Sequence, residues 1–366
     1  MELEVGDQSM FVVRGRDGVL RGFRNVCPHR GTRIVEGCGR AATLRCPYHR
    51  WSWRLDGTIA GIPDRAAFEP IDDDDAGLLP VRVDTWEGLV FACHDPHAPD
   101  LSTFLGPVVD RFRRYELAAY GTVTSASVRI EANWKAVCDS FLEAYHIQGI
   151  HRQVMPFIDY TDLHYEQWDL HSHMVVPVGV PSPSGRMLSP TDVLRAMVAD
   201  EVFHGAVLQE MGVGLDAEVP EGLTARAHFA ALNRAFLEQH GVSTELNESQ
   251  LVDDHHYFLF PNLIVNHFGS SCLLSRVRPA ADSHERSWWD MWILSRVAPM
   301  QASAPAVYDG AGTDMLGIIA NQDIDCLPGV QRGMHDLGLK QVRLGTNERR
   351  VASFHDAIDL FLDAPD

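Results

Sequence analysis

The N-terminal part of the chain alternates short apolar runs with turn residues, a pattern typical of a small β-rich domain. FVVRGRDGVLRGF predicts a β-hairpin that turns at Asp17-Gly18, and LRCPYHRWSWRLDGTI predicts a second that turns at Asp56-Gly57. VRVDTWEGLVFAC predicts one more strand pair, after which HDPHAPD leaves the sheet. A helix is predicted over 101–115.

From Asn133 the spacing of apolar residues becomes helical, and Asn133 is placed to cap that helix. The apolar face consists of Trp134, Val137, Cys138, Phe141, Leu142 and Tyr145. Strands are predicted within 160–180 and 255–297, and helices near 191–211, near 224–240 and within 314–362. A β-rich domain followed by a mixed one makes the predicted fold class α+β.

The composition is that of a globular protein, with 366 residues, 45% of them hydrophobic and 22% charged. At about 150 residues per domain this length favours two domains, each large enough for its own core. The sequence contains neither an apolar run of about 18 residues nor a signal-peptide pattern, so we expect no membrane partner. Seven cysteines scattered through a long chain favour the reducing cytoplasm, where they are thiols or metal ligands.

The formal net charge of −19 is unevenly distributed. Residues 1–60 hold ten Arg and six acidic residues, a net charge of +4, which leaves −23 for the rest. The strong negative charge of the rest of the chain argues against nucleic acid as a partner. The basic N-terminal region could bind an acidic protein. The run Asp72–Asp75 is predicted to be a solvated loop, because a calcium loop needs glutamate at its twelfth position, where Val83 stands.

Cysteine and histidine recur together in the β-rich part. Cys27 and His29, then Cys46 and His49, form C-x-H and C-x-x-H pairs separated by sixteen residues. Two thiolates on one iron and two imidazoles on the other are the ligands of a Rieske 2Fe-2S cluster. Zinc is the rival, since two Cys and two His also suit a tetrahedral zinc site. One Cys and one His at each of two hairpin tips favours the cluster.

The stretch DSFLEAYHIQGIH predicts a second metal site. Asp139, Glu143 and His146 fall within a narrow arc of one helical face, but His151 lies about 140° from His146 around a regular helix. Both imidazoles reach one metal only if the helix is distorted between them, and Gly149 makes such a break inexpensive. Two histidines and one carboxylate are the ligand set of mononuclear non-haem iron oxygenases.

CPHRG…CPYHRWSW and NWKAVCDSFLEAYHIQGIH resemble the cluster motif and the catalytic helix of Rieske non-haem iron oxygenase α subunits. The resemblance implies a Rieske domain over 1–112, without its first strand, and a helix-grip catalytic domain over 113–366. It assigns the four Cys and His ligands above to the cluster, and His146 and His151 to iron. Arg50 stands where the family often has glycine.

The third iron ligand is implied by the resemblance of NQDIDCLPGVQRG to the family's C-terminal segment, which selects Asp323, with Asp325 as the alternative. Glu143 occupies the position of an acid that joins a cluster histidine of the neighbouring subunit to a catalytic histidine. Asp139, predicted on the same helical face as Glu143, is a second candidate for a catalytic acid; an ordinary solvated acid is the alternative.

Residues beside the predicted ligands are the candidates for the substrate pocket. Ile147 and Ile319 neighbour the ligands, and the weaker candidates are Phe203, Leu208, Met211 and His267. Three tryptophans in one strand are interpreted as core rather than as an aromatic pocket for a cationic substrate, namely Trp288, Trp289 and Trp292.

The resemblance implies a homotrimer in which NAD(P)H electrons arrive through a flavin-containing reductase, with or without a ferredoxin, to hydroxylate or demethylate a small aromatic or otherwise apolar molecule. The chain has no G-x-G-x-x-G fingerprint, so the reductase is expected to be a separate protein. Ring cis-dihydroxylation by the same ligand set is the alternative. An electron carrier and a helix-grip ligand-binding protein are the alternatives from other classes.

Overall fold

The computed structural model describes residues 1–5, 7–183, 187–200, 204–300, 305–310 and 316–362. The chain divides into two compact units, Met1–Gly106 and Pro107–Asp366, whereas the sequence placed the boundary after residue 112. Phe203, one of the pocket candidates, lies outside the described residues. No helix in the described part of the chain is both long and apolar enough to cross a membrane.

The first unit is built from short strands. These are β1 (Glu2–Val5), β2 (Gln8–Arg14), β3 (Leu20–Arg24), β4 (Leu44–Arg45), β5 (Ser52–Trp53), β6 (Ile59–Gly61), β7 (Pro80–Trp86) and β8 (Leu89–Cys93), followed by α1 (Leu101–Leu105). One sheet has the order β1-β2-β3-β7-β8 and a smaller one the order β4-β5-β6. The hairpins predicted at Asp17-Gly18 and Asp56-Gly57 and the third strand pair are confirmed.

Aromatic packing joins the two small sheets. Phe11, Phe23, Trp51 and Trp53 lie in one buried cluster, and the Trp53 indole donates to the Ala76 carbonyl (2.8 Å). Gly57 has φ +86°, and a Cβ there would lie 2.3 Å from the Phe23 ring. Both the left-handed backbone and the close approach of Phe23 therefore require glycine at this turn.

The second unit combines helices with one large sheet. Its strands are β9 (Gly121–Ile130), β10 (His164–Trp168), β11 (His171–Val176), β12 (Asp254–Leu259), β13 (Leu263–Phe268), β14 (Ser271–Ala280), β15 (Ser283–Ser295) and β16 (Ala306–Asp309). Its α-helices are α2 (Val108–Phe112), α3 (Trp134–Phe141), α4 (Ile147–Ile150), α5 (Pro190–Val198), α6 (His204–Glu210), α7 (Ala225–Gln239), α8 (Glu248–Val252), α9 (Gly317–Met334) and α10 (Arg349–Leu362). The predicted α+β class is confirmed.

Two predicted helices are divided in the structure. The helix expected over 101–115 is broken at Gly106-Pro107, where Gly106 has φ +52° and Pro107 has no N–H to continue the ladder. The helical segment expected near 191–211 is α5 followed by α6. Asn133 caps α3 as expected, because its side-chain oxygen accepts from the Lys135 N–H (2.9 Å).

The large sheet has the order β10-β11-β12-β13-β14-β15-β9-β16 and is antiparallel except for β16 beside β9. Its register aligns one residue from each of six neighbouring strands, which we name the cavity row: Met174, His256, Asn266, Leu273, Ile293 and Thr124. α3 packs on β14 and β15, and α9 packs on α3 and β9. The Gln331 side-chain oxygen accepts from the Asn133 N–H (2.8 Å), which ties α9 to the start of α3.

Candidate metal centres

Two loops of the first unit carry the predicted cluster ligands, and they share one turn geometry. The Gly31 N–H donates to the Cys27 carbonyl (2.9 Å), and the Arg50 N–H donates to the Cys46 carbonyl (3.2 Å). Gly31 has φ +76° and Arg50 has φ +63°. Each cysteine is therefore followed, four residues later, by a residue in the left-handed region.

The four side chains of these loops converge. Cys27 and Cys46 are buried and free of disulfides, and the rings of His29 and His49 lie 4.6 Å apart. Burial raises the pKa of the Cys27 thiol, and the neighbouring Cys46 adds to the rise. The His29 Nδ1 is buried and has no hydrogen-bond partner among the described residues. Two buried thiols and an imidazole nitrogen without a partner fit a cluster held by two cysteines and two histidines.

The second predicted centre begins where α3 ends. α3 stops at Phe141, and the chain turns through Leu142–Tyr145 before α4 begins at Ile147. The break therefore precedes both histidines and is not at Gly149, which corrects the expectation from sequence. Glu143 explains it, because its Oε2 accepts the His146 backbone N–H (3.0 Å) that a continuing helix would have used.

His146 and His151 flank α4 as its first and last boundary residues. His151 leaves the helix with φ −113° and ψ 40°, and the two imidazole rings lie 5.1 Å apart and nearly perpendicular. Asp323, buried on α9, places its Oδ1 2.9 Å from the His151 Nε2. One ligand atom from each of the three residues lies within 4.8 Å of the others. Asp325 is exposed and is not part of this group.

Both imidazoles are held from behind by an oxygen. The His146 Nδ1 lies 2.6 Å from Glu143 Oε1, and the His151 Nδ1 lies 2.8 Å from Gln322 Oε1. Burial lowers the pKa of His146, but the Glu143 carboxylate, with Asp323, raises it above its usual value overall. Bonds at Nδ1 leave Nε2 as the nitrogen available to a metal. The donor set therefore fits one iron bound by two histidines and one carboxylate.

Gln322 was not identified from the sequence. It also accepts a hydrogen bond from Gln153 Nε2 (2.7 Å), so one side chain links α9 to the segment after His151. Its position beside Asp323 was the available signal, but a polar residue next to a helical acid is ordinarily a surface residue.

A cavity of about 260 Å³ opens onto this centre. Its wall includes Glu143, the three members of the second centre, the whole cavity row, and the aromatic side chains Phe141, Phe268 and Trp289. Ile147 and Ile319 also line it. Among the described residues, Leu208 and Met211 lie outside this wall, and Leu208 is buried in the core elsewhere.

Strand alternation explains why two other candidates lie elsewhere. Asn266 and Phe268 face the cavity, so His267 faces the opposite side of β13, where its Nε2 meets the Tyr120 hydroxyl (2.7 Å). Trp289 lines the cavity, whereas Trp288 and Trp292 each lie under an arginine on the other face of β15. The interpretation of the three tryptophans as core is confirmed for Trp289, which is 1% exposed, and is wrong for Trp288 and Trp292, which are only half-buried.

Among the described residues that line the cavity, Asp139 is absent. Its carboxylate pairs with the His355 Nε2 of α10 (3.0 Å). The break after Phe141 separates Asp139 from Glu143 and His146, so these three side chains do not share one helical face as predicted.

A cluster site of two cysteines and two histidines, followed by an α+β unit with a two-histidine, one-carboxylate site, defines a Rieske non-haem iron oxygenase. The family model "Ring hydroxylating alpha subunit (catalytic domain)" matches residues 117–364, and the "Rieske [2Fe-2S] domain" model matches residues 1–83. The chain belongs to this family of ring-hydroxylating α subunits, whose cofactors are a Rieske cluster and a mononuclear iron.

Relatives by sequence include oxygenase subunits of monooxygenases and the α subunit of a biphenyl 2,3-dioxygenase. The chain is 33% identical over 210 residues to the carnitine monooxygenase oxygenase subunit of Escherichia coli (strain K12), covering 55% of this chain and 53% of that protein. It is 33% identical over 164 residues to the glycine betaine monooxygenase oxygenase subunit of Chromohalobacter salexigens, covering 44% and 37% respectively. The chain spans about half the length, or less, of these curated relatives.

A crystal structure of a quaternary ammonium Rieske monooxygenase in complex with L-carnitine has the same fold. It superposes with a TM-score of 0.67 at 17% identity, covering 99% of this chain and 84% of that one. At this identity the match concerns the fold alone.

Proposed function

We propose that this chain is the oxygenase component of a Rieske monooxygenase, which hydroxylates or demethylates a small organic substrate. The observation that carries the proposal is the group of His146, His151 and Asp323, which lines a cavity of about 260 Å³. An electron carrier has no use for such a cavity, and a ligand-binding protein has no use for the three metal-binding side chains beside it. The same chain also carries the cluster site.

We propose that Cys27, His29, Cys46 and His49 hold the cluster, and that His146, His151 and Asp323 hold the iron. When bound, the cluster supplies single electrons and the iron binds and activates dioxygen. Glu143 and Gln322 hold the imidazoles with Nε2 toward the metal position. The cavity wall, most of which is apolar, places the substrate beside the metal site.

We propose a homotrimer in which Glu143 joins the cluster histidine of a neighbouring subunit to His146. Its short bond to His146 Nδ1 supports this, because a carboxylate can accept from a second imidazole as well. Glu143→Gln should leave iron content unchanged while slowing electron delivery after reduction of the cluster, with Glu143→Asp as the conservative control. Unchanged delivery in Glu143→Gln would count against the bridge.

The electron donor is proposed to be an NAD(P)H-dependent flavin reductase, with or without a ferredoxin, in the cytoplasm. The net charge of +4 over residues 1–60 supports docking to an acidic donor. Raising the ionic strength should then lower the rate of cluster reduction, because screening weakens attraction between exposed charges.

A quaternary ammonium compound is the substrate class that we favour. The two relatives above act, by their names, on carnitine and glycine betaine. Trp289, Phe141 and Phe268 line the cavity, and aromatic rings attract cations; among the described residues that line the cavity none is Lys or Arg. An aromatic hydrocarbon is the second candidate, because the same three rings also suit a planar apolar molecule.

Metal analysis tests the proposed function. Wild-type protein should contain one 2Fe-2S cluster with its labile sulfide plus one further iron per chain, and a Rieske-type EPR signal after reduction with dithionite. His146→Ala should lose only the further iron and keep the signal. Zinc at the Cys27 site, or the same iron content in both proteins, would overturn the proposal. Dioxygen consumption with a surrogate reductase, quaternary amines and aromatic compounds then separates the substrate classes.

A further inference from the structure

The middle of the cavity row is polar. His256 on β12 and Asn266 on β13 are directly paired, and their neighbours in the row, Met174 and Leu273, are apolar. Both polar side chains line the cavity although His256 is only 3% and Asn266 only 7% exposed. Buried polar groups ordinarily have hydrogen-bond partners, so atoms left without one invite an explanation.

Arg350 fixes which nitrogen of His256 carries the proton. This arginine of α10 is 1% exposed; its Nε donates to the Ser172 hydroxyl (2.9 Å) and its Nη2 to the His256 Nδ1 (3.0 Å). A guanidinium can only donate, so Nδ1 accepts and the proton of the neutral ring lies on Nε2. Burial, together with the charge of Arg350, lowers the pKa of His256 well below its usual value, which keeps the ring neutral.

The other nitrogen of His256 has no partner. Its Nε2 is buried and bonds to nothing in the part of the chain that the structure describes. Asn266 is held in a similar way, because its Nδ2 donates to both oxygens of Asp254 (3.0 and 2.9 Å) while its buried Oδ1 has no partner among the same residues. A donor with a fixed tautomer and an acceptor with a fixed orientation thus lie side by side on the cavity wall.

We infer that the His256 Nε2–H donates to a carbonyl or carboxylate oxygen of the substrate and so orients it toward the metal site. The inference deepens the proposed function, on which it rests, by requiring that the substrate carry such an oxygen. Arg350 is a positioning residue, since it acts through His256. Leaving a buried donor unpaired is unfavourable, so an apolar ligand that cannot accept from Nε2 binds less tightly.

Binding of matched probes to the iron-loaded protein tests this. The probes are 4-(trimethylammonio)butanoate against butyltrimethylammonium, and acetophenone against α-methylstyrene, with affinities measured by calorimetry. At least one oxygen-bearing member should bind wild type about tenfold more tightly than its match. His256→Leu should abolish that preference without weakening the oxygen-free probe, and His256→Gln, which places an N–H near the position of Nε2, should keep it.

Arg350 is tested by the same readout. Arg350→Met should reduce the preference for the oxygen-bearing probe, and Arg350→Lys, which can still donate to Nδ1, should retain most of it. A purely structural role would weaken both members of a pair equally. Equal binding of both members in wild type, no binding of any probe, or a preference that survives His256→Leu would overturn the inference. Dioxygen consumption judges the proposed function separately.

Discussion

Arg50 adopts the same left-handed backbone conformation as Gly31, each four residues after a cysteine of the cluster site. The two loops therefore follow one geometric plan, but only the first uses the residue that tolerates positive φ without cost. The backbone conformation at Arg50 is therefore one that glycine would adopt with less strain.

Exchange at these two positions should have opposite effects on stability. A residue with a Cβ in the left-handed region costs about 1–2 kcal/mol, and the entropy of glycine in the unfolded chain offsets part of it. Arg50→Gly should raise the free energy of unfolding by up to about 1 kcal/mol, and Gly31→Ala should lower it by about 1–2 kcal/mol. Chemical denaturation of the cluster-loaded protein measures both, and a loss of stability in Arg50→Gly contradicts the assignment.

The two hairpin glycines of the first unit provide a second matched pair. Gly18 and Gly57 both have positive φ, but a Cβ at Gly18 meets nothing within 4 Å while one at Gly57 strikes the Phe23 ring. Gly18→Ala should cost only the backbone term of about 1–2 kcal/mol. Gly57→Ala should cost roughly 1–3 kcal/mol more from overpacking. Equal losses in the two variants, measured by denaturant titration, would show that Phe23 moves aside freely.

Removal of Asp323, the proposed third ligand, should empty one metal site selectively. Asp323→Ala should lose the mononuclear iron and all substrate oxidation, because two histidines alone hold iron weakly. Asp325→Ala, two residues further along α9 and exposed, should retain both. Iron analysis and the EPR signal of the cluster provide the readout, and iron loss from both variants would place the ligand elsewhere.

Gln322 should affect iron affinity without being a ligand. Gln322→Ala removes the oxygen that holds the His151 Nδ1, and loss of such a partner typically costs ten- to a hundredfold in metal affinity. Titration of the metal-depleted protein with Fe(II) measures the change. Gln153→Ala is the control, because it removes the other hydrogen bond of Gln322 and leaves the bond to His151 in place. If both variants lose the same iron affinity, Gln322 acts by supporting the segment after His151 and not by holding the His151 ring.

The Asp139–His355 pair should stabilise the fold only at low pH. Its hydrogen bond raises the pKa of His355 above 6.5, although burial opposes the rise. The folded state then binds the proton more tightly, so the pair's contribution to the free energy of unfolding is complete below pH 6.5 and disappears as pH rises through the folded pKa of His355.

Because the His355 side chain is 45% exposed, Asp139→Asn should lower the free energy of unfolding by less than about 1 kcal/mol at low pH. Denaturation at several pH values shows this, and a cost independent of pH would contradict it. Turnover should be unchanged.

Local patterns predicted the hairpins, the cap at Asn133 and a metal site at His146 and His151. Asp323 was selected only by the resemblance of its segment to the family, because nothing local distinguishes it from a surface acid of the helix. Local patterns did not place the break before His146, because it depends on a side-chain bond from Glu143 that competes with the helix ladder. His267 was grouped with the pocket since its strand is apolar on both faces, which hides the alternation that sends it away from the cavity.

His256 lies beyond the reach of sequence reasoning for a different reason. Its distinguishing contact is with Arg350, ninety-four residues along the chain, and its partner Asn266 is defined only by strand register. A second histidine, His255, stands beside it with nothing in the sequence to rank them. Only the folded sheet tells which of the two faces the cavity.

The cavity row takes one side chain from each of six strands, so each position can be exchanged without disturbing the backbone ladder that carries the others. Volume can be added or removed at Met174, Leu273, Ile293 or Thr124 one site at a time, at some distance along the chain from any metal-binding side chain. The six positions of the cavity row can therefore be varied independently of one another. Selection for a new substrate can change the shape of the cavity by single substitutions while the metal-binding side chains stay unchanged.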